Sequence, residues 1–577
     1  MKILKKSQSS NLMSENPYAK KPWLEFYDED VPHEIDYPEI NISEFLNNTA
    51  EEFGSRTAIW FMKHKISYKK FKDIAERIAT ALVNLGVKKG DVVALMLPNM
   101  PQFPFSFYGI QKAGGIVTAC SVLHTEHELA YQLNDAGAEI IIAWDTQLEK
   151  INNIKDRTRL RHIIVTNIFD YAPLANPLGK REPPEIAGTI QFLTLVDKTK
   201  PNPPQFETNA KEDVAVLQYT GGTTGLPKGA MLTHYNLVVN CMQMYEWTKS
   251  IAEKGKLTAL TTLPLFHIYG MQVCMNSFIY SGTTIVLHTD PRDQKGLFEV
   301  IKATHPAMFP GVPTMYMRLL ERDDLEDYVK DLKHIKVCNS GAAPLPPEVL
   351  KEFERRTGAI IIEGYGMTEA SPGTHVNPFR GTRKVGSVGL ALPDTEFKIV
   401  DLDDYTKILP QGESGEIMIK GPQIMKGYWN KPEETANQLK GEWLLTGDIG
   451  MMDEDGYLFI VDRKKDMINI SGFKVYPREV EDVLFEYEAV ENAAVIGLPD
   501  PKRAGNEIVK AYIVLKDGYR ETDEMKAEIK EFLRKNVAPY KVPKQIDFRK
   551  ELPETLVGKI LRKDLKDIEA RKRGEEV

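Results

Sequence analysis

From Tyr68 to Trp144 the sequence changes period again and again, and no other feature restricts the available folds as much. Phe71, Ile74, Ala75, Ile78, Leu82 and Leu85 share one face at helical spacing from about Tyr68 to Leu85, and Gly86 closes the run. Val92 to Leu97 (VVALML) follows as a wholly apolar segment of the kind that forms a buried strand. The pattern then repeats: a helix over Phe103 to Ala113, a strand at Gly115 to Cys120, a helix opened by Thr125 with Glu128 completing a capping box, and a strand at Glu139 to Trp144. An earlier helix carries Ile42, Phe45, Leu46, Thr49 and Phe53, with Ser43 as its expected N-cap. Strands alternating with helices predict an α/β fold with a parallel sheet covered on both sides. Ligands of such sheets sit at the carboxyl ends of strands.

One stretch is built to receive an anion there. Tyr219 to Gly229 reads YTGGTTGLPKG, after an apolar-alternating strand candidate at Asp213 to Gln218 and before a helix candidate at Leu232 to Met242. Gly221, Gly222, Gly225 and Gly229 let backbone N–H groups turn toward one point. Thr220, Thr223 and Thr224 add hydroxyl donors, and Lys228 adds a mobile cation. Strand, glycine-rich loop and helix form a setting for a triphosphate. A Walker A loop is excluded, because Pro227 precedes the lysine where that pattern has Gly, and Gly229 follows where it has Ser or Thr.

Composition removes other classes. With 577 residues, 42% hydrophobic and 27% charged, the chain can hold two or more soluble domains. A net charge of −8 with scattered cations argues against a nucleic-acid partner. Cys120, Cys241, Cys274 and Cys338 lie far apart and include no CxxC, which disfavours a disulfide framework or a zinc site and suits a reducing cytosol. No apolar run reaches the roughly 18 residues of a transmembrane helix. Residues 1 to 21, opening MKILKK, are expected to form a solvated, mildly basic tail that leaves room for a peripheral membrane contact.

Downstream, residues 168 to 212 read as a connector, and LTTLPLFHIYGM places Phe266, His267 and Tyr269 behind an apolar run. From Gly386 the texture changes to short alternating strands with Pro and Gly turns, a small β-rich subdomain. The last 110 or so residues show strands at Ala493 to Gly497, Ile508 to Leu515 and Gln545 to Phe548, with a helix from about Asp523 to Val537.

Taken whole, YTGGTTGLPKG resembles the phosphate loop of the adenylate-forming superfamily: acyl-CoA synthetases, adenylation domains of peptide synthetases, and luciferases. GAIIIEGYGMTEASP and DEDGYLFIVDRKKDMINISGFKVYPREVE, in that order downstream, are similar to two further signatures of the superfamily, and the resemblance covers about residues 40 to 570. It implies a large N-terminal AMP-binding domain over 22–462, and a small mobile α+β C-terminal domain over 463–577 joined by a hinge. KPWLEFYDEDVPHEIDYP and LHTEHELAYQLNDAG look most like fatty acyl-CoA synthetases. The implied activity is a cytoplasmic AMP-forming ligase, monomer or homodimer, that joins a medium or long-chain fatty acid to CoA with ATP and Mg²⁺. The alternatives are an aryl or hydroxy-acid CoA ligase, an acyl-AMP ligase that loads a carrier protein, and an ATP-binding sensor without chemistry.

The resemblance also implies a site. Thr220, Gly221, Gly222, Thr223, Thr224, Gly225 and Lys228 would hold the phosphates. Gly341, Ala342 and Ala343 of SGAAPLP would lie against the adenine, with Glu363, Gly364, Tyr365 and Gly366 beside it and the Tyr365 ring offered for stacking. Thr368 would donate near the α-phosphate, and Glu369 would hold Mg²⁺. Asp448 would accept from the ribose hydroxyls, and Arg463 would reach the ribose or phosphates. Phe266, His267 and Val312 would wall the acyl pocket, His267 as its gate. Lys465 would be the hinge, and Ser471, Gly472, Phe473 and Lys474 would line the CoA tunnel. Lys559, directly after Gly558, would be the catalytic lysine.

Overall fold

The computed structural model describes residues 16–172, 188–220, 226–251, 253–470, 473–501, 503, 506–555 and 559–574. The helix Tyr68–Asn84 begins where Ser67 accepts the backbone N–H of Lys70 at 3.2 Å, and it buries Phe71, Ile74, Ala75, Ile78 and Leu82. Each of the Phe, Ile and Leu side chains removed from water contributes roughly 1.5–3 kcal/mol. This helix packs on the helix Gln102–Lys112 so closely that a Cβ at Gly109 would lie 2.6 Å from Ile78 Cγ2. The pair lies between two large sheets, one helix on each, inside a single apolar core.

Among the described residues, the first of these sheets has eight strands. Its centre runs Val214–Thr220, Ile116–Ala119, Val92–Met96, Ile140–Trp144 and His162–Thr166, all parallel, as the alternation predicts. The second has nine, with a parallel centre through Thr258–Thr261, Met308–Gly311, Val337–Ser340 and Ile360–Gly366. Both sheets end in antiparallel strands, so they are mixed. A five-stranded antiparallel sheet from Glu396–Val400 to Leu458–Arg463 is the β-rich subdomain expected after Gly386. The C-terminal segment builds its own core on the strands Val490–Pro499, Glu507–Leu515 and Gln545–Phe548. The whole is an α/β fold with a large N-terminal part and a small C-terminal one.

Four local expectations need correction. The glycine-rich loop leads into a strand, Lys228–Thr233, which returns antiparallel along Val214–Thr220 with Thr220 opposite Lys228. The following helix is His234–Thr248, because Thr233 and Asn236 form a capping box that sets its start beyond the expected Leu232. Ser43 caps nothing with its side chain, since its backbone is already helical; Asn41 Oδ1 instead accepts the Ser43 N–H at 2.9 Å. Tyr18 and Trp23 are buried against Phe397, so packing begins inside the stretch expected as a tail. The capping box of Thr125 and Glu128 forms as predicted.

Candidate active site

The strand Ile360–Gly366 organises one side of the site. It pairs parallel with Val337–Ser340 as far as Glu363, then changes partner and runs antiparallel to Gly373–Val376, so Gly364, Tyr365 and Gly366 are extended strand. Gly366 has to be glycine, because a Cβ there would lie 2.1 Å from the Pro372 carbonyl oxygen. The change of partner brings Tyr365 to the β-rich subdomain, where its hydroxyl donates to Asp448 Oδ2 at 2.7 Å. Asp448 stands opposite Arg463 in the ladder between Trp443–Met452 and Leu458–Arg463, with Oδ1 3.5 Å from the guanidinium Nε. Three residues expected around the nucleotide thus meet in one cluster, although the phenol is anchored by its hydroxyl.

Beyond the strand, Thr368 and Glu369 begin a short 3₁₀ turn. Glu369 is buried, which pushes its carboxyl up, and the Tyr428 hydroxyl donating to Oε1 at 2.8 Å partly offsets that. Tyr428 belongs to the edge strand Gly427–Tyr428 that pairs with Lys228–Thr233. The Lys228 ammonium lies 5.2 Å from the centre of the Tyr428 ring and is ion-paired with Glu434 of the helix Pro432–Gln438. Lys228 and Glu369, far apart in sequence, therefore flank one tyrosine. Among the described residues no group of three His, Cys, Asp or Glu could cage a metal ion. A lone buried carboxylate fits Mg²⁺ that is bound chiefly through substrate phosphates.

Lys559 comes to the site from the C-terminal segment. Burial, with help from the charges of Arg463 and Lys465 and against those of Asp448 and Asp466, pushes its ammonium down to about 7. Its charge also reaches His267, which burial chiefly holds down at about 4, so that imidazole is neutral near pH 7. His267 precedes a π-helical stretch, Gly270–Asn276, an irregularity frequent at functional sites. A Cβ at Gly270 would lie 2.2 Å from the Pro264 carbonyl oxygen, so the chain doubles back tightly there. Gln218, just before the phosphate loop, donates to the Phe266 carbonyl at 3.0 Å and ties the two segments together. Val312 is buried, and Phe266 half-buried, within the main core.

In the SGAAPLP turn Ala342 has φ 67°, a left-handed conformation uncommon for a residue with a Cβ. A Cβ at Gly341 would lie 3.2 Å from the Tyr269 ring, whose hydroxyl donates to the Asn339 carbonyl at 2.9 Å. Ala343 lies in the same turn. Glu363 takes different company: it lines a cavity of about 380 Å³ with Glu354, Asn377, Arg383 and Lys384, and burial pushes its carboxyl up to about 7. Lys465 lies in the turn after Arg463, where burial, aided by Arg463, brings its ammonium down to about 8. Phe473 is 57% exposed and stacks on Tyr540 at 4.8 Å, with Lys474 exposed beside it. Gly221, Gly222, Thr223, Thr224, Gly225, Ser471 and Gly472 lie outside the described residues.

Tyr428, Glu434 and Gln218 were missing from the expected site. A tyrosine in GYWNKPEET carries no local sign of its partners, which come from residues 228 and 369.

The AMP-binding enzyme family matches residues 46–429, and its C-terminal domain family matches residues 479–559. The chain is similar to the long-chain-fatty-acid–CoA ligase of Bacillus subtilis (strain 168), 43% identical over 560 residues that cover 95% of this chain and 98% of the relative. Among solved structures it is similar to the anthranilate CoA ligase AuaEII in complex with anthranoyl-AMP, with TM-score 0.83 and 28% identity over 94% of this chain and 99% of the other. ATP-bound MatB from Rhodopseudomonas palustris is likewise similar, with TM-score 0.81 and 28% identity over 92% and 98%.

Proposed function

This chain belongs to the AMP-binding enzyme family and is an ATP-dependent, AMP-forming acid–thiol ligase; from that premise we propose that its acid is a medium or long-chain fatty acid. The similarity to a long-chain-fatty-acid–CoA ligase over nearly the whole of both chains supports this substrate class. No helix among the described residues is long and apolar enough to cross a membrane. The proposed location is the cytoplasm, a reducing compartment that suits the free cysteines Cys120, Cys241, Cys274 and Cys338.

The observation that carries the assignment of roles is the convergence of Lys559, Arg463, Asp448 and His267 from four separate segments. The acid's carboxylate oxygen attacks the α-phosphorus of ATP, the bond to the bridging oxygen breaks, and pyrophosphate leaves, so that an acyl-AMP forms. Lys559, as ammonium, neutralises charge at the carboxylate and α-phosphate oxygens, while Lys228 follows the departing phosphates. Thr368 donates to the α-phosphate, and Asp448 accepts from the ribose. Magnesium, when bound, would supply charge neutralisation on the phosphate oxygens, with Glu369 holding it. His267, neutral and beside Lys559, borders the acyl carboxylate. The CoA thiolate then attacks the acyl carbonyl and AMP leaves.

For that second step the C-terminal domain, 463–577, turns about Lys465 and brings Phe473 and Lys474 to the CoA path. The test is a panel of short, medium, long-chain and aromatic acids assayed for pyrophosphate release with and without CoA. Highest kcat/KM on medium or long chains with formation of acyl-CoA is expected. A preference for aromatic acids would move the substrate to the aryl class, and acyl-AMP accumulating despite CoA would point to a carrier-loading ligase.

A further inference from the structure

Arg562 begins the helix Arg562–Lys572, three residues after Lys559, and nothing above gives it a part in the reaction. Its guanidinium is largely buried and forks onto Glu481, with Nη2 at 2.5 Å and Nε at 3.3 Å. Glu481 is itself held in the helix Pro477–Phe485 and accepts the Val495 N–H at 2.7 Å. The other guanidinium arm, Nη1, lies 3.5 Å from Asp466 Oδ2, and Asp466 follows Lys465 directly. One side chain thus spans from the lysine segment to the turn at the expected hinge.

Only Ile560 and Leu561 stand between Lys559 and Arg562, and the backbone on either side is tied down. The Leu561 N–H donates to the Pro553 carbonyl at 2.8 Å, the Thr555 N–H to the Lys559 carbonyl at 2.9 Å, and the Lys559 N–H to Thr555 Oγ1 at 3.1 Å. A displacement at Arg562 is therefore passed to Lys559 with little slack. A buried ion pair is no better for stability than well-packed apolar residues, so its presence calls for a reason other than stability. The fork supplies direction: it fixes one face of the lysine segment against Glu481 and the hinge turn together.

We propose that Arg562 is a positioning residue for adenylation, locking the Lys559 segment to the Asp466 side of the hinge so that rotation of the C-terminal domain delivers Lys559 to the α-phosphate as one rigid piece. The proposal rests on the roles given above to Lys559 and Lys465. Asp466, on the C-terminal side of Lys465, travels with that piece.

Arg562→Lys and Asp466→Asn test it in the full-length enzyme, with Lys559→Ala as reference. Arg562→Lys keeps a cation against Glu481 but cannot fork and reach Asp466 as well. Single-turnover formation of acyl-AMP from acid and ATP should fall on the order of 10²-fold in Arg562→Lys, the cost of an ångström-scale misplacement. A smaller fall is expected in Asp466→Asn. Conversion of supplied acyl-AMP and CoA to thioester should stay near the wild-type rate in both. The basic limb of kcat/KM for adenylation should also move to higher pH in Arg562→Lys, because Asp466, less well paired, would favour the Lys559 ammonium more strongly. Wild-type adenylation by Arg562→Lys, or equal loss of both half-reactions, would overturn the proposal. If Lys559→Ala itself formed acyl-AMP normally, the role given to Lys559 would fail first.

Discussion

Glu369 accepts a hydrogen bond from Tyr428 at 2.8 Å across 59 residues of sequence. A buried carboxylate without that donor would hold its proton more tightly, and a hydrogen bond to a charged group is worth about 1.5–3 kcal/mol. Tyr428→Phe should therefore raise the Mg²⁺ concentration for half-maximal adenylation by about tenfold or more, most at acidic pH, where proton and metal compete for the carboxylate. An unchanged Mg²⁺ titration would remove Glu369 from the metal's surroundings.

With Lys228 in its proposed place on the phosphates, its ion pair with Glu434 would compete with ATP. The pair is partly exposed, so releasing the lysine is worth only about 0.2–1 kcal/mol. Glu434→Gln should lower the KM for ATP by a few-fold at most and leave the KM for the acid unchanged. A rise in the ATP KM would show that Glu434 supports the lysine instead.

In the proposed mechanism Lys559 works as the ammonium, and its site holds it down at about 7. Because the protonated form is the active one, kcat/KM for adenylation should fall as pH rises through about 7 in the free enzyme. His267, already neutral above about 4, adds nothing to this limb. Lys559→Ala should lack the limb, form acyl-AMP about 10²–10³-fold more slowly, and still convert supplied acyl-AMP and CoA. A limb that persists in Lys559→Ala would assign it to another group.

Lys465→Pro removes an N–H and fixes φ near −65° at the expected pivot. The variant should release pyrophosphate in a single turnover yet make little acyl-CoA, and an unfolded protein would do neither. Normal acyl-CoA formation would place the pivot elsewhere.

Much of this molecule is legible in its residues taken in order. The alternation from Tyr68 to Trp144 specifies parallel strands under helices, because burial on both faces demands apolar runs and a helix demands one apolar stripe. The capping box at Thr125 is equally local, since both of its hydrogen bonds close within four residues. The signatures are legible for a related reason: a glycine at a close approach, such as Gly366 against the Pro372 carbonyl, leaves few substitutes.

What tertiary structure decided is the company each residue keeps. Tyr365 meets Asp448 because one strand changes partner at Gly364, and a pairing register is a property of two strands. The ladder that returns Lys228 along Thr220 carries Tyr428 on its far edge, between Lys228 and Glu369. Lys559 sits near 7 because burial and the charges of Arg463 and Lys465 surround it, whereas in GKILRK it is one basic residue among several. Local propensity and spacing act over a few residues and can be read along the chain. Desolvation and Coulomb interaction depend on distance in space, which only the folded chain defines.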